Sequence, residues 1–170
     1  VSLCQKKLRH PYPVRIICGP LEETMPPLLV TAAIIRQKNL ILITLRPEGS
    51  RYAGLWEFPG GKIEENESPE QCLEREIFEE LGVRAAVGDV FGSTFHKYPW
   101  GNILLLAYNC RLLDGPIRNL GVAEHRWVTS EQLDTYPMLP ADLPLIEKLQ
   151  NLAESASRPS AVEPGAFHKT

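Results

Sequence analysis

The chain reads as an α/β domain on a mixed sheet, and three features predict this. Aliphatic runs of strand length recur at residues 28–35, 40–45 and 102–113. A single helix of about thirteen residues is bracketed by start and stop signals at Ser68 and Gly82. A second amphipathic pattern follows near residue 142, beyond the last aliphatic run. Strands that alternate with helices in this way bury a sheet between helical layers.

The first two runs are separated by Arg36, Gln37, Lys38 and Asn39, which reads as two strands joined by a polar turn. In the helix, Ser68 stands at the N-cap, Pro69 at the first helical position and Gln71 three residues after the cap. That combination is a capping box with a proline start. Helix formers continue to Leu81, and Gly82 suits the left-handed position that ends a helix. Leu73, Ile77 and Leu81 form an apolar stripe for burial against the sheet. The run 102–113 follows an aromatic segment, 91–100, and residues 125–128 supply a short further strand. From Asp142 the second helix places Leu145, Ile146, Leu149 and Leu152 on one face, fit to cover the other side of the sheet.

Composition bounds the function. The 170 residues suit one domain, placed at residues 28–152, with an N-terminal extension at 1–27 and a flexible tail at 153–170. A formal net charge of −3 argues against a basic nucleic-acid face. No 18-residue apolar run suggests a membrane span, and no signal-peptide pattern opens the chain. Val1 in place of Met points to an alternative start or a processed or truncated chain. Cys4, Cys18, Cys72 and Cys110 lack metal-type spacing and suit a reduced, cytoplasmic compartment.

The chemistry is concentrated between Gly61 and Val83, where Glu67, Arg75, Glu76, Glu79, Glu80 and Gly82 recur at fixed intervals. At roughly one in fifteen per fixed position, these six and Gly61 together recur by chance on the order of once in 10⁸ starts. On a helix at about 100° per residue, Glu76, Glu79 and Glu80 fall within an arc of roughly 100°. Carboxylates so placed repel one another. A divalent cation would compensate, and Mg²⁺ binds jointly to one or two carboxylates and to substrate phosphates. Arg75 is placed to pair with Glu67 or Glu79.

This spacing resembles the Nudix box, and residues 55–62, Leu-Trp-Glu-Phe-Pro-Gly-Gly-Lys, resemble its MutT-like branch. The resemblance covers about residues 28–152. It implies an α/β/α sandwich with a mixed sheet and the box as loop, helix and loop. It also implies hydrolysis of a nucleoside triphosphate to the monophosphate and pyrophosphate, with Mg²⁺ as cofactor and Mn²⁺ as its alternative. Glu76, Glu79, Glu80 and the Gly60 carbonyl are the implied metal ligands, with Glu67 and Arg75 orienting the helix. Glu124 is implied as a late metal ligand or general base, the identity of the base staying open. His96 and His125 are weaker alternatives, because isolated histidines are more often structural.

The same resemblance carries Arg46 and, from the neighbouring loop, Arg51 to the substrate phosphates, with Glu57, Phe58, Pro59 and Gly60 as further substrate contacts. Tyr98 matches a base-recognition position, and Trp100 offers a second aromatic platform. Asp142 falls at the base-reading corner, where the oxidised-guanine enzyme of the family carries Asn. An ionised Asp offers acceptors only; its alternative role is the N-cap of the last helix. That departure weakens the transfer of strict 8-oxoguanine specificity, and the run 139–145 is at least as similar to the CTP pyrophosphohydrolase branch. The expected role is removal of damaged nucleotides such as 8-oxo-dGTP from the pool. Pyrophosphohydrolysis of CTP, dCTP or modified cytosine nucleotides is the alternative, and a non-hydrolysing Nudix-like binding module the second.

Overall fold

A computed structural model describes residues 25–157. Along this span run the strands β1 (Leu28–Gln37), β2 (Leu40–Leu45), β3 (Trp56–Glu57), β4 (Ala85–Tyr98), β5 (Gly101–Leu112) and β6 (Glu124–Val128). Helix α1 (Pro69–Leu81) lies between β3 and β4, and α2 (Leu143–Ser157) follows β6 and a short 3-10 turn at Ser130–Thr135. No helix among the described residues is long and apolar enough to cross a membrane.

The sheet runs in the order β3-β2-β1-β5-β4, with β6 also paired to β2. It is mixed, because β1 pairs parallel with β5 from Leu28↔Ile103 to Ile35↔Cys110 while its other strand pairs are antiparallel. Alternation along β1 divides the core in two. Ala32 and Ile34 point to one face with Leu145, Ile146 and Leu149 of α2. Ala33 and Ile35 point to the other with Leu73, Ile77 and Leu81 of α1. The expected α/β/α sandwich is what forms, because each helix buries a single apolar stripe and the period-two strands supply two apolar faces.

Helix α1 starts and stops where its sequence signals place it. The Ser68 hydroxyl accepts the Gln71 N–H, and the Gln71 side chain accepts the Ser68 N–H. Gly82 closes the helix at φ 65°. Other elements differ from the sequence reading. The aromatic segment 91–100 is mostly strand, forming the second half of the 14-residue β4. Its mixed polar and apolar residues reflect an outer strand beside which no further strand pairs among the described residues. Helix α2 runs through Ser157, so residues 153–157 are helical and not tail; residues 158–170 and 1–24 lie outside the described span. Leu152 has the angle of the buried stripe but is 47% exposed, one turn beyond Leu149, where the covering core has ended.

Ile77 is fully buried between α1 and the sheet, whereas Phe78 on the next position is exposed. Ile77→Ala is expected to destabilise the protein by about 2–5 kcal/mol, and Phe78→Ala by less than about 0.5 kcal/mol. Urea denaturation of the two variants checks the orientation of the helix; equal losses would contradict it.

Candidate active site

The site begins with a crossing of backbone. After β3 the chain runs beside β1, where Ala33 N–H donates to Pro59 O at 2.7 Å and Thr31 N–H donates to Gly61 O at 2.8 Å. At Gly60 (φ 148°) a Cβ would lie 2.2 Å from the carbonyl oxygen of Thr31, and at Gly61 it would lie 2.2 Å from Oε1 of Glu76. Glycine is therefore required at position 60 by the sheet backbone, whereas at position 61 a side chain would displace the Glu76 carboxyl. Below the crossing, the Cys72 Sγ lies 3.2 Å from the Thr31 hydroxyl and within reach of the Gly61 and Lys62 carbonyls. Burial pushes its thiol up to about 11, so it remains a neutral donor.

Arg75 organises the acidic residues on the outer side. Its Nη2 and Nε donate to the two oxygens of Glu67 at 2.7 and 3.1 Å, and its Nη1 donates to Glu76 at 2.8 Å and Glu79 at 3.3 Å. The two pairings expected for Arg75 thus occur together, and Glu76 joins them. Nη2 also donates to Lys62 O, which ties the glycine segment to the helix. These bonds and the Glu64 N–H hold the Glu67 carboxyl down to about 2. Of the three helical glutamates, only Glu80 lines the cavity. Glu76 packs at Gly61, and Glu79 extends outward at 59% side-chain exposure.

The cavity has a volume of about 430 Å³ and runs from the glycine crossing to the start of α2. Glu80 stands at one end, with one carboxyl oxygen buried and without a hydrogen-bond partner among the described residues. Desolvation pushes its carboxyl up to about 8, helped by the negative charges of Glu57 and Glu76. Glu57 is also raised by burial, against the pull of Arg46. The Arg46 Nη1 donates to both Glu57 oxygens at 2.8 and 2.7 Å, and its Nε donates to the Arg51 carbonyl at 2.7 Å. Arg46 thus faces the cavity already engaged with a carboxylate.

Asp142 closes the opposite end, fully buried, and its Oδ2 accepts the Phe58 N–H at 3.2 Å. Its backbone carbonyl accepts the Ile146 N–H and so begins α2, while its carboxyl turns away to the segment after β3. Burial raises that carboxyl well above its ordinary range, with Glu57 adding to the effect. Between the two ends, Leu28, Val30, Ile103, Leu105 and Leu139 form an apolar wall, and Tyr98, Trp100, Tyr52 and Arg51 form the rim. Tyr98 stacks on Trp100 with centroids 5.2 Å apart and planes at 11°, and it also meets Tyr52 and His96.

A profile of the NUDIX domain matches residues 30–148, which span both layers and the cavity just described. The chain belongs to the Nudix family. It is 40% identical over 134 residues to the CTP pyrophosphohydrolase of Escherichia coli K12, covering 77% of this chain and 96% of that protein. It is 36% identical over 123 residues to the 8-oxo-dGTP diphosphatase of Haemophilus influenzae, covering 72% and 90%. Its structure resembles the solution structure of the E. coli ORF135 protein with a TM-score of 0.68 and 38% identity, covering 82% of this chain and 99% of that one.

In this Nudix domain the sequence-derived site residues fall into two groups. Arg46, Arg51, Glu57, Phe58, Gly60, Glu80, Tyr98 and Asp142 line one cavity. Glu67, Arg75, Glu76 and Glu79 form the ionic cluster on its outer side, and Pro59 supplies a carbonyl to β1. Glu124 is not brought to the cavity. It pairs with Arg126 on the same face of β6, where residues two apart lie together. His125 bonds Asn119, and His96 contacts Tyr98 from β4. Trp100 has one face against Tyr98, and the Arg51 guanidinium also sits over its ring, so it is a partner to those groups more than a free platform. Sequence reasoning missed Tyr52, Thr31 and Lys62. The only signal for Tyr52 is its place in a turn two residues before Gly54, which has φ 81°.

The raised carboxyl of Glu80 has a consequence for stability. Its folded value of about 8 exceeds its ordinary 4.5. Below the ordinary value both states are protonated and folding carries no penalty. As pH rises from there to about 8, the unfolded carboxyl ionises first and stability is lost; above that both states are ionised and the loss levels off. In chelator, the melting temperature of Glu80→Gln is therefore expected to gain on wild type as pH rises through this window. A pH-independent difference would contradict the burial of that carboxyl.

Proposed function

We propose that the chain is a Mg²⁺-dependent nucleoside triphosphate pyrophosphohydrolase of the cytoplasmic nucleotide pool, releasing nucleoside monophosphate and pyrophosphate. The observation that carries this reading is the buried oxygen of Glu80, without a partner among the described residues, in a cavity that also has an apolar wall and an aromatic rim. A polyphosphate needs the first feature and a nucleobase the others.

The residues suit a hard cation. Glu80 leaves a carboxyl oxygen unsatisfied in a place where nearby acids oppose its ionisation, and the donors around it are oxygens. Glu80 and the Gly60 carbonyl would hold Mg²⁺, or Mn²⁺ in its stead, and Glu76 and Glu79 would join them on leaving Arg75, since no three acidic side chains among the described residues are grouped to hold a metal as they stand. When bound, it supplies charge neutralisation on the phosphates and lowers the pKa of an attacking water. Water forms a bond to phosphorus as the phosphoanhydride bond breaks and pyrophosphate leaves. The water proton passes to a cavity carboxylate, and Glu57 and Glu80 are the groups in place. Arg75 holds the box helix through Glu67, while the apolar wall excludes water from the base.

Asp142 supports the oxidised-purine reading, with 8-oxo-dGTP as substrate. Burial shifts the Asp142 carboxyl toward its neutral form, and a neutral carboxyl offers one donor beside its acceptor, as Asn does. Cytosine nucleotides are the second reading, favoured by 40% identity over 96% of a relative named CTP pyrophosphohydrolase. The kcat/KM values for 8-oxo-dGTP, dGTP, CTP, dCTP and 5-substituted dCTP separate the two. Absence of turnover on all of them would leave the binding-module reading.

Glu80→Gln is expected to lower kcat by at least about 10²-fold while the fold is kept, because the amide removes the charge. Near-wild-type turnover at saturating Mg²⁺ would exclude Glu80 from the centre. At Asp142, the ratio of kcat/KM between preferred and disfavoured base is expected to fall as rising pH ionises the carboxyl and removes its donor. Asp142→Asn should hold the ratio flat over the same range, and Asp142→Ala should cost the preferred substrate roughly 1–3 kcal/mol. Equal pH profiles in wild type and Asp142→Asn would remove Asp142 from base reading.

A further inference from the structure

Two loops meet over the cavity mouth through one indole. Trp100, in the turn between β4 and β5, donates its Nε1–H to the Tyr52 hydroxyl at 3.0 Å. Its ring stacks on Tyr98, and the guanidinium carbon of Arg51 sits 4.2 Å from the ring centroid. Tyr52 holds a left-handed backbone conformation, φ 62°, which a bulky residue adopts only when its surroundings enforce it. Its ring centroid lies 5.1 Å from that of Tyr98, so what its side chain meets is this aromatic cluster.

The cations of the cavity are not equivalent. Arg46 is occupied by both oxygens of Glu57 and by the Arg51 carbonyl. Arg51 lines the same cavity as Glu80 and Gly60, and its guanidinium rests on the indole. Contact through a π-face leaves the in-plane N–H donors of a guanidinium free, and their fork matches phosphate oxygens. A long exposed arginine ordinarily loses side-chain freedom when it binds an anion. Resting on Trp100, Arg51 is already restricted.

We propose that Trp100 is a positioning residue that holds Arg51 as a clamp for the phosphate chain of the substrate, with Tyr52 fixing the indole. This deepens the proposed function and rests on reading the cavity as a nucleoside polyphosphate site. Trp100 touches Arg51, so its effect on anion binding runs through Arg51.

The test is calorimetric titration of the protein with inorganic tripolyphosphate in Mg²⁺ buffer, which reports anion binding apart from turnover. Arg51→Ala and Trp100→Ala are each expected to weaken binding roughly tenfold. The double variant should bind no more weakly than Arg51→Ala alone, because the indole acts through the guanidinium. Trp100→Phe, which keeps an aromatic face, should recover much of the loss. Tyr52→Phe, which removes only the hydrogen bond to the indole, should fall between wild type and Trp100→Ala. The salt dependence of binding should flatten in Arg51→Ala and Trp100→Ala together, a change that general loosening of the fold would not produce. Wild-type affinity in Trp100→Ala, additive losses in the double variant, or no binding by wild type would each overturn the clamp. Hydrolysis of nucleotides with unchanged tripolyphosphate binding in Trp100→Ala would overturn the clamp and leave the hydrolase reading standing. The expected binding pattern without hydrolysis of any nucleotide would do the reverse.

Discussion

The contact on which the rest of the site depends is the passage of Gly60 and Gly61 between β1 and α1. There is no room for a side chain on Gly60, whose Cβ would strike the Thr31 carbonyl, and one on Gly61 would push the Glu76 carboxyl from its place. Because the backbone can lie this close, the segment pairs with β1 through Thr31 and Ala33 and stays within reach of Arg75 through the Lys62 carbonyl. Sheet, glycine segment and box helix are thereby set in one register. Glu80 is positioned beside Gly60 by that register, and no local preference of the helix could do it.

Charge is distributed around this crossing in two unequal parts. On the outer side Arg75 serves Glu67, Glu76 and Glu79 at partly solvated positions. On the inner side Glu57, Glu80 and Asp142 share a desolvated cavity in which Arg46 engages Glu57. Burial of carboxyls with few partners raises their proton affinity. The outer cluster thus holds the helix in place, and the inner acids are left protonated or in need of a cation. That imbalance is the physical basis for assigning hydrolytic chemistry to the inner side.

The rim and the α2 side of the cavity are built by distant parts of the chain meeting. Asp142 reaches Phe58 across 84 positions, and Trp100 reaches Tyr52 across 48. Asp142 starts α2 with its backbone and spends its carboxyl on another segment, so its side chain does not cap the helix it begins. Trp100 is drawn into the rim by Tyr98 and Arg51, which changes its part from a platform for a base to a support for a cation.

The sequence by itself determined whatever depends on neighbours a few residues apart. The capping box at Ser68, the stop at Gly82 and the stripe of Leu73, Ile77 and Leu81 specify α1 and its buried face, and the spacing from Gly61 to Val83 identifies the catalytic helix. The aliphatic runs specify most of the strands through their composition. Tertiary structure alone decided which glutamate enters the cavity, since Glu76, Glu79 and Glu80 share an arc of the helix and only the packing of Gly61 and Arg75 separates them. It also decided the strand nature of the aromatic segment, the exclusion of Glu124, the engagement of Arg46 and the assembly of the aromatic rim. Desolvation and ring contacts arise between residues tens of positions apart, and periodicity along the chain carries no record of them.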